Sequence, residues 1–168
     1  MNRDEVIRKL TCLIDVCQDG EDCCYVAAQG VVSPAFEALL MAHSSQWGDF
    51  AEQLADMVTI LGGDPDLDHY PMGVAGQGWA ELKSMAQGSS ESAILHECLR
   101  LEAEALQIYQ EALEVLPTPV SRMVVRQSRL LDETYQAMGM LCGPPVLEWP
   151  QSQRREGYLS GENPRVVS

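Results

Sequence analysis

The chain is short of positive charge: 11 Lys and Arg stand against 25 Asp and Glu, for a formal net charge of -14. Phosphate binding needs a basic face, so nucleic acid and anionic membrane surfaces are poor partners for it. An apolar run able to span a bilayer or form a signal-peptide core is also missing. Met1, Asn2, Arg3, Asp4 and Glu5 lead directly into a mixed polar pattern. These absences point to a soluble, cytoplasmic protein. The six cysteines include no CxxC and no Cys/His spacing typical of zinc. Five lie inside helical patterns, which favours small buried thiols over a disulfide framework. No nucleophile with its base and no phosphate loop can be assembled.

What is present is helical period. The length of 168 residues suits one domain with a core of its own. A first helix is predicted over 4–29, with Val6, Leu10, Leu13, Cys17, Cys24 and Ala28 on one face and Arg8, Asp15, Asp19 and Asp22 opposite. Glu21 falls on the apolar face. Ser33 and Pro34 give an N-cap and a first-turn proline for a second helix to Leu61, stopped by Gly62 and Gly63. Its stripe is Phe36, Leu40, His43, Trp47, Phe50, Leu54, Met57 and Leu61.

Thr118 and Pro119 repeat the start signal for the last helix, which presents Val120, Val124, Gln127, Leu131, Thr134, Tyr135 and Met138. Before it, a helix over 90–116 buries Leu95, Cys98, Leu106, Tyr109, Leu113 and Leu116 around Glu102. The connection over 62–89 is too long for a tight turn. Trp79, Leu82 and Ala86 share a face there, so a short helix over 74–87 is expected to lie across the bundle. The fold class is therefore all-α: a ferritin-like four-helix bundle over 1–142 with a long helix-bearing crossover between its second and third long helices. Residues 143–168 form an irregular tail containing Pro and Gly, expected to be disordered or draped over a neighbour.

Counted along antiparallel helices from the first turn, Glu21 and His43 lie at similar depth, about 15 Å down. Glu102 falls at the same height, opposite Thr134 or Tyr135. Ferritin-like carboxylate sites need two Glu and two Glu-x-x-His pairs, and this chain offers Leu40-x-x-His43 and Leu131-x-x-Thr134 instead. Glu21, His43 and Glu102 could still hold a single Fe, Mn or Zn ion. The alternative is a buried hydrogen-bond layer that includes Tyr109, Gln127, Thr134 and Tyr135, with Glu102 accepting from Tyr109 or Tyr135 and Glu21 paired with His43.

The first helix carries a second apolar strip, Cys12, Val16, Cys23 and Ala27, which calls for cover. A homodimer would supply it, and so would the crossover segment and neighbouring helices. Thiol redox sensing by Cys23 has little support, because nothing basic stands beside it to lower its pKa.

The stretches LIDVCQDGEDCCYVAAQ, LGGDP, GWAELKS and ECLRLEAEALQIYQEAL resemble a bacterial family of ferritin-like four-helix-bundle proteins of unknown function, over about residues 10–141. Membership implies a ferritin-like fold and no assigned activity. Glu102 and Tyr109 also match the Glu-x6-Tyr spacing on helices of ferritins and rubrerythrins, where the Glu is a metal ligand. The chain departs from the family pattern at Trp47, where an arginine is usual, at Leu99, where an acidic residue is usual, and at Tyr135, where a histidine is usual. These changes make the centre more apolar. A non-enzymatic bundle acting through oligomerisation or a protein partner is the first functional expectation. A metal-binding protein or metal-dependent oxidoreductase with a reduced carboxylate/His site is the second.

Overall fold

The computed structural model describes residues 2–66 and 75–143, and for 75–80 the backbone path alone. It contains α1 (Arg3–Gly30), α2 (Pro34–Ile60), α3 (Ala75–Ala86), α4 (Glu91–Leu113) and α5 (Val120–Cys142). Among the described residues there is no strand, and no helix is long and apolar enough to cross a membrane.

Local chemistry sets the helix ends. Asn2 opens α1 with a capping box: its side chain accepts from Glu5 N at 2.9 Å, and its own N–H donates to Glu5 Oε2 at 2.8 Å. Pro34 occupies the first turn of α2, but the Ser33 hydroxyl caps nothing. The backbone N–H groups of Val32 and Ser33 instead donate to Glu91 Oε2, both at 2.7 Å. At the end of the bundle the cap of α5 is Pro119 rather than Thr118, one residue later than the start signal implied.

The Glu91 contact fixes the topology. It ties the first turn of α4 to the α1–α2 turn, while the other end of α2 lies by the start of α1, where Gly63 sits against Ile7 and Val58. The chain after α2 must therefore return along the bundle, roughly 40 Å for a helix of this length, before α4 begins. Helices α2 and α4 run the same way. Around the bundle the neighbours follow the order α1, α2, α5, α4, so α2 and α4 face each other across a diagonal. On the return path α3 packs against α1 and α4, with Leu82 fully buried. The side chain of Trp79 lies outside the described residues, as does the tail over 144–168.

Of the strip Cys12, Val16, Cys23 and Ala27, the last three are buried within the single chain, Ala27 and Cys23 alongside Leu82, Ile94 and Cys98, while Cys12 stays half-buried. Those three therefore supply no ground for a dimer. Leu113 proves only partly buried; Ala105, Ala112 and Leu116 take the core positions around it.

The interior divides in two. One apolar cluster runs from Val6 and Leu10 through Trp47, Leu54 and Tyr109 to Leu131. The other gathers Ala27, Leu40, Leu82, Ile94, Cys98 and Met138. On α2 the break falls between Leu40 and Trp47, on α4 between Cys98 and Ala105, and on α5 between Leu131 and Met138. His43, Glu102 and Thr134 occupy those breaks.

Candidate metal centre

Helices α2 and α4 send His43 and Glu102 toward each other across the diagonal, and His43 Nε2 rests against Glu102 Oε1. Both are almost fully enclosed, at 2 % and 5 % exposure. From α1, Cys24 directs its thiol at the same carboxylate oxygen, 3.9 Å away. One donor atom from each of the three lies within 4.8 Å of the others. Imidazole nitrogen, carboxylate oxygen and sulfur thus converge at a buried point.

The imidazole is held from behind. Gln46, one turn along α2, faces His43 Nδ1 with its Oε1 at 3.0 Å, and that oxygen also accepts from the Thr134 hydroxyl at 3.3 Å. A carbonyl oxygen can only accept, so Nδ1 carries the proton and the lone pair of a neutral ring sits on Nε2. That lone pair meets a carboxylate oxygen, an arrangement that calls for a positive charge between them, whether a proton or a metal ion. Cys24 is a thiol here. Burial, and then the Glu102 carboxylate, push its pKa well above the ordinary value.

Glu21 does not join this point. It is half-buried, its carboxylate lies over Gly48, and its backbone carbonyl accepts from Ser44 Oγ at 2.8 Å. A side chain on Gly48 would stand 2.9 Å from Glu21 Oε1, so the glycine provides the room. His43 therefore pairs with Glu102 and not with Glu21. Counting residues locates depth to about one turn of helix, and Cys24 lies one turn beyond Glu21 on the same face.

Tyr109 serves a second, separate network. Its hydroxyl donates to Gln127 Oε1 at 3.0 Å and lies 3.0 Å from Cys17 Sγ. The Gln127 amide donates to Gln53 Oε1 at 3.2 Å and to the Phe50 carbonyl at 3.4 Å. Burial pushes the Cys17 thiol up to about 12, and the Tyr109 hydroxyl is also raised. Tyr135 packs, half-buried, against the first apolar cluster. Glu102 thus takes its partner from α2 rather than from either tyrosine. Of the residues sequence reasoning passed over, Gln46 follows His43 by one turn, a spacing that brings a second polar side chain to the same face.

Residues 5–115 match the family model described as Domain of unknown function (DUF2383). The chain belongs to this family. Within the DUF2383 match lie Cys24, His43 and Glu102, whereas Gln127 and Thr134 on α5 fall beyond it. No curated protein and no solved structure matches the chain.

Proposed function

We propose that this DUF2383 protein binds one divalent first-row metal ion at Cys24, His43 and Glu102. The observation that carries the reading is the convergence of sulfur, imidazole nitrogen and carboxylate oxygen within 4.8 Å, from three helices, in a buried layer. A two-metal carboxylate centre does not fit, since neither Glu-x-x-His pair is present and Glu21 is turned away. A thiolate in the set favours Zn(II), then Fe(II), over Mn(II). Gln46 and Thr134 would act as outer partners that orient the imidazole. Binding would draw the proton from Cys24, so it should acidify a weakly buffered solution. The ferritin-like character of the bundle is part of this proposal, supported by the crossover and by the order of helix neighbours. Its cysteines are all free, which supports a reducing compartment.

Melting the chelator-stripped protein with and without Zn(II) or Fe(II) tests the reading. A saturating ion at about 100 times Kd adds roughly 2.7 kcal/mol to the folded state. Wild type should gain accordingly, and Cys24→Ser and His43→Gln should not. An unchanged midpoint in wild type, together with metal-free protein on elemental analysis, would leave the second reading. In that reading the His43–Glu102 pair acts only as a core specificity element of a non-enzymatic bundle with a protein partner or a second copy. The hydrogen bonds that tie His43 to Gln46 and Gln46 to Thr134, with Glu102 set against the other side of the imidazole, favour it.

A further inference from the structure

The first three turns of α5 concentrate the sign of charge that the chain is short of. Arg122, Arg126 and Arg129, three of its 11 basic residues, stand at i, i+4 and i+7, a spacing that lines one face of a helix over about 10 Å. No Asp or Glu occurs between Val120 and Leu131 to answer them. All three are exposed, and none makes an ion pair or hydrogen bond among the described residues, whereas Arg3 and Arg100 both pair with carboxylates. Val125, three residues after Arg122 and four before Arg129, is 42 % exposed in their midst. The face is an apolar knob flanked by guanidinium groups.

A surface of opposite character lies between α1 and α4. A groove of about 90 Å³ has Val16, Leu101, Ala105 and Ile108 as apolar walls, of which Leu101 and Ile108 are only half-buried. Its edge is acidic: Asp19 lines it from α1 and Glu104 from α4, and exposed Asp22 extends the α1 row by one turn. Asp15, Asp19 and Asp22 repeat the i, i+4, i+7 spacing of the arginines. Arg100 holds Glu104 from outside, but no basic side chain is among the described residues that line the groove. Burial, and then Asp15 and Asp22, raise the Asp19 carboxyl, so a cation placed there would relieve it.

The two surfaces cannot meet within one chain. Helices α1 and α5 lie across a diagonal of the bundle, with α2 and α4 as neighbours of both, so their exposed faces point apart. We propose that the arginine face of α5 docks into the α1–α4 groove of a second copy, with Val125 entering between the apolar walls and the guanidinium groups meeting Asp19, Asp22 and Glu104. Such a contact is heterologous, so it runs head to tail from copy to copy rather than closing on a two-fold axis. It does not depend on metal binding. The net charge of -14 on every copy opposes it, but about 0.15 M salt screens that repulsion beyond about 8 Å and acts less on partly buried pairs in contact. One valine and a few ion pairs make a weak contact, so single chains prevail at micromolar concentration and longer assemblies form on concentrating.

Sedimentation of the full chain from micromolar to millimolar concentration tests it. In about 0.15 M salt the mass of wild type should rise without stopping at a dimer, and about 1 M salt should reverse the rise. Arg122→Gln with Arg126→Gln removes the arginine face, and Asp19→Asn with Asp22→Asn removes the acidic edge. Each pair of changes should move association to about tenfold higher concentration. Mixed in equal amounts, the two variants should associate at the wild-type concentration and stop at the dimer, because one intact face and one intact groove remain per pair. Melting curves check each fold, and Val125→Asp, at an exposed position, serves should either variant fail. A wild type that stays single at millimolar concentration would overturn the proposal and leave the groove to another occupant, the segment 144–168 or a different protein. A mass that stops at the dimer, or variants that associate as wild type does, would overturn it equally.

Discussion

Two glycines on facing helices show how much a single hydrogen atom decides. A Cβ on Gly20 would stand 2.6 Å from the Trp47 ring, which is fully buried and hemmed in by His43 and Tyr109. Gly20→Ala is expected to cost about 1–3 kcal/mol in urea denaturation, since the whole ring must shift from its packing on His43 and Tyr109. The Cβ of Gly48→Ala would meet only the end of the Glu21 side chain, which can swing toward solvent. That change should stay within about 1 kcal/mol of wild type, helped by the better helix propensity of alanine. Asp19 responds to pH. Burial first, and then Asp15 and Asp22, raise its carboxyl from the ordinary 3.8 to about 6. A carboxyl raised on folding stabilises the folded state at low pH, and that contribution is lost as pH rises through the folded value. Asp19→Asn should therefore melt higher than wild type near about pH 7.5 and lose its advantage below about pH 4. Matched melts across that range would reveal the crossing, and a constant difference would contradict it.

At the scale of elements, Glu91 holds more than its own helix. Both orphan donors of the α1–α2 turn end on its carboxylate. Glu91→Ala should cost about 1–2 kcal/mol, with Glu91→Gln losing less. Amide exchange at Val32 and Ser33 should rise in step. Leu54, with no exposure, should cost about 2–5 kcal/mol when cut to Ala, and half-buried Leu113 clearly less. Sequence periodicity located the five helices among the described residues because 3.6-residue stripes and proline starts are local signals: the predicted 34–61 became Pro34–Ile60 and 74–87 became Ala75–Ala86. The Glu91 latch could not be read in the same way. It joins residues 58 and 59 positions apart, beyond the reach of any local pattern. The candidate site was half legible. His43 and Glu102 stood out as polar residues in apolar stripes, but Cys24 looked like core, and only the packing of three helices brings it to the carboxylate.

For the whole molecule, burial of Val16, Cys23 and Ala27 inside the chain leaves only half-buried Cys12 of that strip for a second copy to cover. Light scattering at micromolar concentration should give the mass of a single 18.5 kDa chain. A dimer there would have to form through a face other than that strip.

The division of the interior sets how the bundle comes apart. On α2, α4 and α5 a polar residue separates the two apolar clusters, and they adjoin on α1, where Cys24 belongs to one and Cys23 to the other. The halves are joined by the continuous helices and by the few side chains of that layer. An ion held there would be a rivet through the waist of the molecule. Without it, amide exchange should show the α3 end, latched by Glu91, and the end built on Leu10 and Leu54 opening at different free energies, with α1 as the seam between them.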